Sequence, residues 1–292
     1  MKISISFDYD SPAGYRESFH LQDCSPTADL DGTDALLKAL AKHDVRTTFG
    51  VVGKVALPGE APDHCPDQIR AIRAAGHEVA SHSMYHRFIP PMSDRELLDD
   101  VVASRRALEN CTGERVTGFI PPFNRPMQFP AHGAVSISEF LGLHGRGRGR
   151  QTIGSMLRIL REGGFGWSRV SFSNKVQLAL RRCGLTSEQG PAQPFLHHGM
   201  VAIPLHVTGF GEAAKSLVER LADTDLVVTL YGHPNQALED NDQGVRALAD
   251  FLDHVAASRL RNRVSFCTMA QIAELTKAIS ALSEERQQAS VN

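Results

Sequence analysis

At 292 residues, with 42% hydrophobic and 22% charged side chains, the chain is long enough to bury a large core, as one α/β barrel or as two smaller domains. A formal charge of −2 argues against a general nucleic-acid binder, and no run approaches the roughly 18 apolar residues of a membrane span. Five cysteines in no CxxC spacing fit reduced thiols, and Met1-Lys2 leads straight into Ile3 with no apolar leader, so a cytoplasmic protein is expected.

Strand-like and helical runs alternate from the start. Ile3–Phe7 reads as a strand, Asp34–His43 as a helix with Leu36, Leu37 and Leu40 on one face, and Thr47–Val52 as the next strand. Pro66–Ala75 is helical, Gly76 stops it, and His77–Ser81 is extended. The helix over Asp94–Cys111 is the clearest, because Ser93 and Glu96 form a capping box ahead of Leu97, Leu98, Val101, Val102 and Leu108 at helical spacing. Val116–Ile120 follows as a strand.

Thr152–Arg161 then reads as a helix, Gly164–Phe172 and Met200–Leu205 as strands, Glu212–Leu221 as a helix and Leu226–Tyr231 as an apolar strand. Gly244–Ala257 and Met269–Leu282 are helical, with Val264–Cys267 extended between them. About seven strands alternating with helices predict a parallel α/β fold, and we favour a distorted (β/α) barrel, one domain over 1–292. Pro58–Pro66, Pro121–Gly149 and Ser187–Gly199 are expected as loops on one rim.

Chemistry in such folds lies beyond the carboxyl ends of the strands. Asp8 and Asp10 stand there after the first strand, His82 and His86 after the third, Pro121-Pro-Phe-Asn-Arg125 after the fourth, and His233 after LVVTLYG. Each has a bland counterpart. Thirteen histidines make a lone HxxxH pair a weak signal, D-x-D is often a turn or cap, His233 fits a core histidine, and PPF fits a rigid turn. The set matters because all four fall at matching places in one pattern. Two imidazoles and a carboxylate bind Zn²⁺ or a related ion with a position left open for water. Residues i and i+2 of a strand face one side, so a second carboxylate can take a proton there while a histidine opposite protonates a leaving group.

The order FDYD, GHEVASHSMYH, TGFIPPFNRP, IPLH, VTLYGHP and VSFCTMAQIAEL resembles the NodB-type polysaccharide deacetylases, carbohydrate esterase family four, from residue 3 to about 275. The resemblance implies a NodB-like barrel with a divalent metal on Asp10, His82 and His86, zinc first, with cobalt, nickel, manganese and iron as alternatives. It further implies Asp8 as catalytic base, His233 as general acid and the Phe123 N–H as oxyanion donor, with Pro122, Asn124 and Arg125 beside the substrate.

Two departures stand out. Tyr9 separates aspartates that are usually adjacent, and Ile120 occupies the place of the arginine that usually precedes Pro-Pro and orients the base. Both also occur in a cytoplasmic branch similar to the helicobacter-type peptidoglycan deacetylase and to allantoin and cyclic-imide hydrolases. Arg125 is a candidate for the missing cation, and the family's Asp-Trp element is echoed only by Gly166-Trp167.

Residues 144–182 carry nine Lys or Arg and a single acid, Glu162. A solvated loop is the simple account. The functional one places Arg146, Arg148 and Arg150 on the phosphate of a nucleotide- or lipid-linked sugar. Trp167 and Phe165 are expected in the core, and Tyr15, Arg16 and Phe19 over the site. The expected activity is N-deacetylation of an amino sugar, soluble or lipid-linked, with no nucleic-acid partner and a homo-oligomer left open. Hydrolysis of a cyclic amide or imide is the alternative. A non-hydrolytic binding protein or an Fe(II) oxygenase with the same ligand set comes third.

Overall fold

The computed structural model describes residues 1–12, 14, 25–126, 150–171, 192–257, 260 and 262–291. Its centre is β1 (Lys2–Tyr9), whose alternation is read off the sequence ISISFDYD. Ile3, Ile5, Phe7 and Tyr9 join the large apolar cluster that also holds Leu36, Leu40 and Phe49, while Ser4, Ser6 and Asp8 face the other way, buried and polar.

Around β1 the sheet runs β6 (Phe195–His197), β7 (Met200–Pro204), β5 (Trp167–Val170), β4 (Gly118–Phe119), β3 (Glu78–Ser81), β2 (Thr48–Val51), β1, β9 (Val227–Gly232) and β8 (Val207–Thr208), with β10 (Ser265–Phe266) also on β1. Pairings are parallel except β6 with β7. The runs expected as strands correspond to β1 to β5, β7, β9 and β10. The run from β7 to β8 changes partner: Ile203 pairs with Arg169, and four residues on Val207 pairs with Leu230. That switch curls the sheet into a distorted barrel.

Helices cover the outside: α1 (Ala28–Lys42), α2 (Pro66–Ala74), α3 (Asp94–Thr112), α4 (Ile153–Glu162), α5 (Glu212–Leu221) and α6 (Val245–Ala256). The Ser93–Glu96 capping box is present at the start of α3. The last helix, α7 (Met269–Val291), instead seals the amino end of the barrel. Met269, Ile272 and Ala273 pack on Ala80, Ile120, Trp167, Val201 and Ile203, a second apolar cluster. Each large side chain so buried stabilises the closure by about 1.5–3 kcal/mol. Gly118 leaves room for this floor, since a Cβ there would lie 1.9 Å from the Trp167 ring.

The α7 amino terminus is capped from the sheet. Thr48 Oγ1 accepts from Met269 N–H (2.9 Å) and donates to Glu78 Oε2 (2.7 Å), which also accepts from Ala270 N–H (2.9 Å). One expectation fails here: within Ser187–Gly199, Phe195–His197 forms an edge strand whose turn lies at the amino end of β7, away from the carboxyl-end rim. A hairpin partner along β7 satisfies its backbone better than a free loop would. Among the described residues Cys65, Cys111 and Cys267 are free thiols. No described helix is long and apolar enough to cross a membrane.

Candidate metal centre and base

The carboxyl ends of β1 and β3 bring three predicted ligands together. Asp10 Oδ1 lies 3.1 Å from His82 Nε2 and 3.3 Å from His86 Nε2, and all three residues are buried. The His82 and His86 rings are 4.9 Å apart. His82 Nδ1 is 2.7 Å from Ile120 O, so Nδ1–H donates to that carbonyl and Nε2 is the nitrogen turned to the cluster. The donors fit a divalent ion: one carboxylate oxygen and two imidazole nitrogens within 4.8 Å of one another, one ring already fixed in tautomer.

Burial pushes the Asp10 carboxyl up, but His86 and His82 outweigh it and hold it well below the usual carboxylate range. Burial likewise pulls His82 down, and its hydrogen bond to Asp10 and the nearby Asp8 charge more than reverse that.

Asp8 lies on the same side of the strand but has a different partner. Arg169, fully buried on β5, grips it with both terminal nitrogens: Nη1 donates to Oδ1 at 2.7 Å and Nη2 donates to Oδ2. The same guanidinium donates to Ser6 Oγ (3.0 Å) and to Asn124 Oδ1 (2.7 Å) and lies 4.7 Å from the centre of the Tyr231 ring. Burial raises the Asp8 carboxyl, but Arg169, then His82, bring it below its ordinary value.

Arg169 is the residue that sequence reasoning missed. Ile120 is an inward residue just beyond β4, and β4 pairs with β5 through Phe119 and Ser168, so the cation sits one strand over from the position that lacks it. The signal was there: in the strand WSRV, period 2 puts Arg169 on the face of buried Trp167. Arg125 has another partner, its Nη1 donating to Phe123 O at 3.2 Å.

Some of the remaining predicted residues border this centre. Pro122–Asn124 is a short 3₁₀ turn in which Phe123 and Asn124 have φ of 59° and 53°. The Phe123 ring lies tilted 4.7 Å from the His86 ring and edge-on 5.5 Å from that of Phe88. His233 follows β9, with its Nδ1 2.8 Å from Gln243 Oε1, close enough to draw down both aspartates. Trp167 belongs to the floor of the barrel, as expected of a core residue. Arg150 is exposed, its N–H bonded to Pro90 O at 2.5 Å. Arg146, Arg148, Tyr15, Arg16 and Phe19 lie outside the described residues.

Residues 3–128 match the polysaccharide deacetylase family. That match takes in the ligand triad and Asp8. A chitin deacetylase of Colletotrichum lindemuthianum is 38% identical over 93 residues, 32% of this chain and 35% of the relative. A peptidoglycan deacetylase of Helicobacter pylori is 27% identical over 128 residues, 41% of each chain. The chain thus spans well under two thirds of the length of these relatives. A polysaccharide deacetylase structure from Mycobacterium smegmatis superposes with a TM-score of 0.65 at 19% identity, covering 96% of this chain and 91% of its own, and shares the fold.

Proposed function

We propose that the chain is a metal-dependent hydrolase that removes the acetyl group from an N-acetylated amino sugar. The observation that carries this is the pairing, at one end of the barrel, of a buried His₂Asp set with a second carboxylate clamped by Arg169. Asp10, His82 and His86 would hold the ion. Bound there, a divalent ion polarises a carbonyl and eases the loss of a proton from water near neutral pH.

The chain's own residues supply the rest. Asp8, held in one orientation by two hydrogen bonds, accepts the proton of the attacking water. The Phe123 N–H donates to the acetyl oxygen as negative charge develops on it. His233, its Nδ1 tied to Gln243, delivers a proton through Nε2 to the sugar nitrogen as the C–N bond breaks, leaving acetate and an amine. Relatives named for chitin and peptidoglycan favour an acetamido group over a cyclic amide. A nucleotide- or lipid-linked precursor would engage Arg146, Arg148 and Arg150.

The test is metal analysis together with acetate release from chitooligosaccharides, UDP-N-acetylhexosamines and a polyprenyl-linked sugar, for wild type, Asp8→Asn and His82→Ala. Loss of at least about 100-fold in each variant is expected. Full activity in both would overturn the mechanism, and turnover of hydantoin-like rings alone would replace the substrate.

A further inference from the structure

The ligands sit on loops that are costly to hold. Among the described residues, seven non-glycine positions have left-handed φ, and five of them are at this site: Ser11 (69°), Ser83 (64°), His86 (57°), Phe123 and Asn124. Each such position is strained and persists only where its surroundings over-determine it. Ser11 directly follows Asp10. Ser83 and His86 bracket the turn from His82 to His86.

Two buried carboxylates that the mechanism does not use hold these two loops. Asp29, in the first turn of α1, accepts from the Ser11 N–H at 2.9 Å. Asp100, on α3, accepts from the Met84 N–H at 2.8 Å. They are 2% and 7% exposed. The parallel goes further. α1 lies between β1 and β2, and α3 is the helix that follows β3, so each ligand loop is tied to a helix later in its own βα unit. Met84 is fixed from both sides, since its carbonyl accepts from Lys54 N–H (3.1 Å) while that of Ser83 accepts from Gly53 N–H (2.9 Å). A hydrogen bond to a charged acceptor is stronger than one between neutral groups and offsets the strain of such a residue.

We propose that Asp29 and Asp100 are positioning residues for the metal ligands, two clamps that set the Asp10 loop and the His82–His86 loop in binding geometry before any ion arrives. The clamps rest on the assignment of Asp10, His82 and His86 as the ligands. They act through backbone N–H groups, so an acceptor is required at each position and a negative charge is not.

Zinc affinity of the full chain, measured by competition with a chelating dye, tests this in wild type, His82→Ala, Asp29→Leu, Asp100→Leu, Asp29→Asn and Asp100→Asn, with the melting temperature of each metal-free protein recorded alongside. The leucine variants should bind zinc about 10- to 100-fold more weakly. The asparagine variants, which keep an acceptor oxygen, should stay within about threefold of wild type. Where a leucine variant does not fold, serine, polar but too short to reach, takes its place with the same expectation. Wild-type affinity in folded leucine or serine variants would overturn the clamps while leaving the ligand set intact. Equal affinity in wild type and His82→Ala would overturn the ligand assignment itself.

Discussion

The two ends of the barrel hold the same kinds of titratable side chain and treat them oppositely. At the carboxyl end Asp8 and Asp10 are pulled below their ordinary range and His82 is raised, because each faces a partner of opposite charge. At the amino end burial raises Glu78 beyond what its Ala270 and Thr48 hydrogen bonds recover, and burial, then Arg46, lowers His77 to about 4. His77 Nδ1 there accepts from the Thr47 N–H at 3.1 Å, which only an unprotonated nitrogen can do. Burial alone therefore does not mark a reactive site. Burial with an opposing charge keeps a group ionised for chemistry, whereas burial without one makes a group structural.

The sharpest way to break this contrast is to remove the charge from the upper end. Arg169→Met leaves Asp8 buried without its cation and should cost about 3–5 kcal/mol in denaturant unfolding. Acetate release should fall by more than about 100-fold, and Arg169→Lys, a point charge without the fork, should recover only part of it. Wild-type turnover in Arg169→Met would remove Arg169 from the mechanism.

Next in size, Gly118→Ala forces a Cβ into the Trp167 ring and should destabilise by about 2–3 kcal/mol, read as a lowered melting temperature. If instead it melts like wild type, the floor is less tightly packed than described.

At the lower end the sign follows from the direction of each shift. The folded state takes up the His77 proton only near pH 4, whereas the unfolded chain does so near 6.5, so stability falls as pH drops through that window. Between pH 7 and 5 the wild type should lose about 2 kcal/mol more than His77→Asn. An unchanged difference over that range would return His77 to an ordinary solvated histidine.

Smallest is Glu78→Gln. A raised carboxyl favours the fold below its unfolded value and loses that advantage as pH rises through the folded one, so the ionised group costs the fold at pH 7. Glutamine keeps an acceptor for Thr48 and Ala270 and should melt within about 1 kcal/mol of wild type at pH 7, at or above it. A large loss would show that the negative charge itself supports the start of α7.

Much of the upper end was legible in the chain. The alternation of ISISFDYD placed Asp8 and Asp10 on the inner face, and SHSMYH supplied both imidazoles, because period 2 and short spacing are local properties. Arg169 was not found, since its partner lies 161 residues away and the basic stretch around it invited a count of charges instead of a reading of strand faces. Asp29 and Asp100 were hidden for a related reason. They sit on amphipathic helices where an acid looks like ordinary solvent-facing charge, and only the fold turns them inward. The β7 to β8 switch of partner has no sequence period to announce it. The start of α1 is hidden because Asp29, Asp31 and Gly32 precede Leu36, Leu37 and Leu40, which carry its helical spacing.

Trp167 is the chain's one tryptophan, and it is 1% exposed. It stands two residues from the guanidinium that holds Asp8, on the same face of the same strand. Its fluorescence is therefore a built-in optical probe of the barrel interior. It should emit as an indole in an apolar surrounding, and it should dim or shift when the floor is disturbed from below or Arg169 is moved from above, with no label added.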